Sequence, residues 1–76
     1  MKIRTQDGRM LLECVTIKWD FFGAAYALFG VPSYGGNELW LGTYRTKKEC
    51  LTVLDTIQNF FEVGGGDGVY SMPNSE

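Results

Sequence analysis

Two periodicities divide the chain. Up to Trp19 apolar positions tend to alternate with polar ones, and from Lys47 to Glu62 they recur every three or four residues. Alternation marks a strand with one covered face; the longer spacing marks an amphipathic helix. Ile3 lies between Lys2 and Arg4, a short half-exposed strand. Gln6-Asp7-Gly8-Arg9 contains an Asp-Gly pair suited to a two-residue type I′ hairpin. The return arm runs from Arg9 to about Trp19. Met10, Leu12 and Cys14 alternate on one parity, and Val15, Ile17 and Trp19 on the other. A bulge or break at Cys14–Val15 reconciles the two runs.

Asp20 and Gly23 bracket Phe21-Phe22 as a bend. Ala24 to Val31 reaches Gly30 and Pro32 too soon for a stable helix, and it reads as a strand. Pro32 to Asn37 is a loop by composition, and Glu38 to Tyr44 the next strand. Thr46-Lys47-Lys48-Glu49 fits a capping box with Thr46 as N-cap. Cys50, Val53, Leu54, Ile57, Phe60 and Phe61 form one apolar stripe, with Leu51 off it. Gly64-Gly65-Gly66 ends the helix. Val69 to Pro73 is extended, a short edge strand, and Asn74-Ser75-Glu76 is expected to fray. The expected fold class is α+β: a small antiparallel sheet of two hairpins (about 2–44) on one C-terminal helix (about 47–62). A glycine-rich linker and tail (64–76) complete a single domain over 1–76.

From Phe21 to Val31 every residue is apolar, aromatic or glycine. A strand without alternation is covered on both faces, and one helix covers only one face of a small sheet. This predicts a homo-oligomer, with Phe22, Tyr26, Leu28, Phe29 and Leu51 as interface candidates. The competing reading is a strongly coiled sheet that buries both sides itself. Size favours assembly, because a core from 76 residues is marginal without support.

Composition then narrows the chemistry. The chain has no histidine, which removes Ser-His-Asp and Cys-His nucleophiles and histidine-based metal sites. Two cysteines, Cys14 and Cys50, are too few for a structural zinc site within one chain. They sit at apolar positions and read as buried thiols of a reduced, cytoplasmic protein. No catalytic residue, metal or cofactor is expected. Met1 to Asp7 has no apolar signal core, and no segment reaches the ~18 apolar residues of a membrane span.

Two basic groups remain. Arg45, Lys47 and Lys48 cluster at the helix start, where cations oppose the helix dipole. With Thr46 and free backbone N–H groups they suit a phosphate or carboxylate, and Tyr44 beside them could stack on a ring. A solvated basic corner offset by Glu49 and Asp55 explains the same residues without a ligand. Arg4, Arg9 and Lys18, with Lys2, form the second group beside Trp19, Phe21 and Phe22. Bases with aromatics suit a nucleotide. Ordinary charge on the wet face of a sheet is the simpler account of them. A pI of about 5.0, and no Lys or Arg after Lys48, disfavour a large nucleic acid. Gly64-Gly65-Gly66-Asp67-Gly68 follows a helix and carries an acid, so it is no phosphate loop.

Lys2 to Asp7, Leu41 to Thr46, Lys47 to Gln58 and Val69 to Pro73 resemble segments of short proteins encoded by phages and prophages of Gram-positive bacteria. Within that group the chain is similar to the first Thoeris anti-defence family. The resemblance implies an N-terminal sheet with C-terminal helical structure, assembled into oligomers. It implies sequestration of cyclic ADP-ribose isomers or cyclic oligonucleotides without cleavage, in the host cytoplasm. No pocket residue is carried over from the family. The expected function is therefore capture of a small anionic nucleotide messenger, with Arg45, Lys47 and Lys48 on phosphates and Tyr44 or Trp19 on a base. The alternative is a small inhibitor or adaptor that binds a host protein directly.

Overall fold

The computed structural model describes residues 1–64 and 67–75. Gly65 and Gly66 of the expected linker, and Glu76 of the expected tail, lie outside the described residues. The fold is α+β. Its strands are β1 (Lys2–Arg4), β2 (Leu11–Phe22), β3 (Ala25–Pro32), β4 (Leu39–Tyr44) and β5 (Val69–Ser71), with α1 (Lys47–Glu62) between the last two. They lie in the order β4-β3-β2-β1-β5. The first four form an antiparallel meander, and β5 pairs with β1 in parallel. The expected antiparallel sheet is thus a mixed one, because α1 carries the chain from one sheet edge to the other.

Local chemistry explains most boundaries. The ladder between β2 and β3 shifts register between Cys14 and Thr16, at the bulge that the clash of parities requires. Val15 is extruded there and is 61% exposed. The β2–β3 turn is Gly23-Ala24, since Phe22 pairs with Ala25. Only Gly23 of the two has positive φ, the requirement of a type II′ turn. The β1–β2 turn differs from the expected type I′, which needs positive φ at Asp7 as well as Gly8. Only Gly8 has it. The reason is Thr5, which is buried and organises a wider loop closed by Thr5 N–H to Met10 O at 2.9 Å. Its hydroxyl donates to Asp7 Oδ1 at 2.6 Å and accepts from Met10 N–H at 3.1 Å. That bond, with the Arg9 N–H, holds the Asp7 carboxyl below its ordinary range.

Thr46 is the helix N-cap, extended at φ −122° and accepting from Glu49 N–H at 3.1 Å. Cys50, Val53 and Ile57 of the apolar stripe are buried, and Leu54, Phe60 and Phe61 half-buried. All of these but Phe60 pack on Ile3, Leu12, Cys14, Leu28 and Leu41 from the sheet and Met72 beyond β5. Leu28 is wholly buried in this core, so it cannot serve as an interface residue. At Gly30 an added Cβ would lie 2.6 Å from Cys14 Sγ. Glycine at this position lets β3 lie against the Cys14 side chain.

The sheet curls until its edges communicate. Gln6, just past β1, donates its backbone N–H to Leu41 O of β4 at 2.7 Å. Its side-chain amide accepts from Thr43 N–H at 2.9 Å and donates to Thr43 O at 3.0 Å. The same Nε2 donates to Pro73 O at 3.0 Å, where the Tyr44 hydroxyl also donates at 2.8 Å. Gly42 makes room, since a Cβ there would sit 3.2 Å from Gln6 Cβ. The tail is therefore tied down rather than frayed. Met72 is buried, and Ser75 is half-buried against Glu49. Replacing Gln6 by Ala removes its side-chain bonds and should lower the unfolding free energy by about 2 kcal/mol in urea titration. A conservative surface change elsewhere in the same loop, such as Arg9→Lys, should cost less than ~0.5 kcal/mol.

Candidate groove at the helix start

Between the first half of α1 and the returning tail lies an open groove of about 760 Å³. Arg45, Thr46 and Lys48 line it, with Thr52 and Thr56 following Lys48 at helical four-residue spacing. Tyr44, Glu49 and Val53 also line it, as do Tyr70, Pro73 and Asn74 of the tail. Its size is in the range of small-ligand sites. Thus Tyr44, Arg45, Thr46 and Lys48, picked out together from the sequence, do come together around one concavity.

Their roles differ from expectation. Tyr44 was the stacking candidate, yet its side chain is 1% exposed and its hydroxyl is spent on Pro73 O. Burial pushes the phenol well above its ordinary pKa. The reason is a second register shift. Leu28 pairs with Gly42 but Phe29 with Trp40, so Leu41 is an extra residue in β4 and Tyr44 turns inward. Tyr70 is the half-exposed ring in the groove, set edge-on to Phe60 at 5.5 Å between centroids.

The helix N-terminus is also less open than a bare anion site. Glu49 accepts from Arg45 N–H at 3.2 Å and from the Ser75 hydroxyl at 2.8 Å. Ser75 Oγ takes the same Arg45 N–H at 3.3 Å. The cap bond to Thr46 occupies the Glu49 N–H. An incoming anion would therefore meet the Arg45 and Lys48 side chains rather than these amides. Among the described residues neither side chain forms a salt bridge.

Lys47 points elsewhere. Its ammonium lies 4.9 Å from the centroid of the Trp19 ring, a cation–π contact. Trp19 in turn meets Phe21 at 5.6 Å and Tyr26 at 6.1 Å. Lys47 and Trp19 therefore form an aromatic patch apart from the groove, in which neither is a lining residue. The second basic group disperses. Arg4 donates to Gly8 O at 3.2 Å beside the turn that holds Arg9. Lys18, on the opposite face of β2 from Trp19, pairs with Glu38 at 2.9 Å. Glu38 raises the Lys18 pKa, but the pairing spends the charge that a phosphate would need.

Sequence reasoning missed Thr52, Thr56, Tyr70 and Asn74. The Lys48-Thr52-Thr56 spacing was a visible signal; the tail residues join only through tertiary packing. Both cysteines are buried, and burial raises both thiol pKa values, including that of Cys50 in the first helical turn. Neither is an activated nucleophile.

The buried phenol carries a pH prediction. The unfolded chain loses the Tyr44 proton near the ordinary value of 10.0, while the folded chain keeps it. The folded state then binds more protons, so stability falls as pH rises above that value. Tyr44→Phe should flatten this alkaline loss, measured as denaturation midpoint against pH. An unchanged slope would contradict the assignment. Comparison with known proteins finds no matching family model, no matching curated protein and no matching solved structure.

Proposed function

We propose that this chain is a non-catalytic binding protein that captures a small phosphorylated ligand of nucleotide type in the groove at the start of α1. One observation carries the reading. A concavity of about 760 Å³ gathers two cations, Arg45 and Lys48, that form no ion pair among the described residues, with the Glu49 carboxylate, hydroxyl side chains and one half-exposed ring, Tyr70. Arg45 offers a fork to phosphate oxygens and Lys48 a point charge. Tyr70 supplies a surface for a base, and Asn74 a donor and an acceptor for its edge. With raised thiol pKa values and no histidine, the chain offers no evident nucleophile–base pair. Capture without turnover suits these residues. The resemblance to anti-defence proteins supplies a biological sense for it: lowering a free immune messenger, such as a cyclic nucleotide or an ADP-ribose derivative, below its effector's threshold.

A second reading rests on the aromatic patch. Phe21 is 65% exposed beside Trp19 and Tyr26, and exposed aromatics of this kind anchor protein partners. It would make the chain an inhibitor or adaptor of a host protein.

Native mass spectrometry against a panel of cyclic nucleotides separates the two. The groove reading expects whole-number nucleotide adducts. Arg45→Ala or Lys48→Glu should weaken capture by about tenfold or more while leaving the melting temperature within a few degrees. No adduct across the panel, with a host protein retained on purification, would favour the aromatic patch instead.

A further inference from the structure

Beyond Cys14, among the described residues, β2 pairs only with β3, and β4 accompanies that hairpin no further than Tyr26. The last cross-strand pair, Phe22 with Ala25, therefore stands past the end of the β4 ladder. Side chains opposite each other in a ladder share a face. Phe21 and Tyr26 lie on the helix side with Trp19, and Phe22 and Ala25 lie on the other side. Phe21 is 65% exposed, and Phe22, though 6.4 Å from Phe29 between ring centroids, is 52% exposed. Gly23 and Ala24 of the turn are exposed as well. The tip is thus apolar on both faces, and Phe21 to Tyr26 contains no charged residue.

Polarity rises away from the turn. Trp19 and Tyr26, rings with a polar atom, adjoin Phe21 at 5.6 and 5.5 Å between centroids. The Lys47 ammonium then lies over Trp19. On the other face Asp20 is the first charge behind Phe22. It accepts from Phe21 N–H at 2.7 Å and lies 3.9 Å from Lys18 Nζ, which also pairs with Glu38 at 2.9 Å. The charges held around the hairpin by these contacts are two of each sign. Two strand residues, ~7 Å, separate Phe22 from Asp20.

We propose that the β2–β3 hairpin tip inserts into the surface of a lipid bilayer, to the depth of Phe21 and Phe22. Interfacial anchors bury their apolar part by ~5–10 Å, which takes in Phe22 and leaves Asp20 among the headgroups. Trp19 and Tyr26 then sit at headgroup level, where such rings concentrate. The two-sided tip selects this occupant. A protein docked on the Trp19–Phe21–Tyr26 face would leave Phe22 in water, whereas a bilayer surrounds both faces. Because the nearby charges balance, the contact needs no anionic lipid. Two inserted rings make a reversible anchor rather than a permanent one. None of these tip residues lines the groove, so the proposal does not rest on ligand binding.

Flotation with phosphatidylcholine vesicles tests it. The wild-type chain should float with the lipid, and its tryptophan emission should move to shorter wavelength as Trp19 leaves water. Trp40, half-buried and bonded to Thr43 Oγ1 at 2.8 Å, supplies a constant background. Phe21→Ser and Phe22→Ser should each lower the partition coefficient by about tenfold or more at unchanged circular dichroism. Tyr34→Ser, at a 79% exposed ring in another loop, should leave it within about twofold. Added anionic lipid or salt should change it by less than about threefold. Should a serine variant misfold, bromine-labelled acyl chains decide with the wild-type chain: they should quench the shifted emission. No partition into these vesicles, no quenching, or partition only with anionic lipid would each overturn the proposal. So would a loss confined to Phe21→Ser, the mark of a protein partner on one face, or tip variants that change oligomer mass but not flotation.

Discussion

One carbonyl holds the two ends of this sheet in register with each other. Pro73 O accepts from Gln6 Nε2 and from the Tyr44 hydroxyl, so residues after β1, in β4 and after β5 meet at a single acceptor. Gln6 adds a strand-like pairing to the outer edge of β4 through its own amide and side chain. An edge strand with unpaired groups invites other chains, and here it is partly closed from within. The closure also determines what the tail can do. Tied at Met72, Pro73 and Ser75, it becomes the second wall of the groove instead of a loose end.

The groove follows from that constraint. Helix α1 supplies one wall with Lys48, Thr52 and Thr56, and the tail supplies the other. The inward turn of Tyr44 closes the site to stacking by that ring but holds the tail in place. Glu49 has a double role at the same spot. It answers the positive end of the helix and fastens Ser75, and in doing so it takes the Arg45 amide that an anion would otherwise use. Affinity for an anion would then depend on Arg45 and Lys48.

Legibility in the sequence tracked the distance over which each feature is decided. The helix, its Thr46 cap and the β2 bulge are set by neighbours within a few residues, and the pattern exposed all three. The hairpin turn at Asp7 was misjudged because the buried Thr5 hydroxyl competes with the local preference for type I′. Tyr44 was misplaced because an extra residue in β4 reverses its parity, and Gly42 beside it was not read as the mark of a bulge. Gln6 was unreadable for a different reason: its partners lie 37 and 67 residues away. The helix-start cluster was found as a group, but its members' directions were not. A charge pattern locates basic residues on the chain, whereas packing decided that Lys47 covers Trp19 while Arg45 and Lys48 line the groove.

Amide hydrogen exchange in the native state tests the central claim most directly, because it reads the closure without changing any residue. If the Pro73 clasp belongs to the cooperative core, the amides of Gln6, Thr43 and Met72 should exchange only through global opening, with the protection shown by β2 and β3. Rapid exchange of Gln6 and Met72 beside a protected β2–β3 ladder would contradict it. The tail would then be a frayed segment, and the groove would lack its second wall.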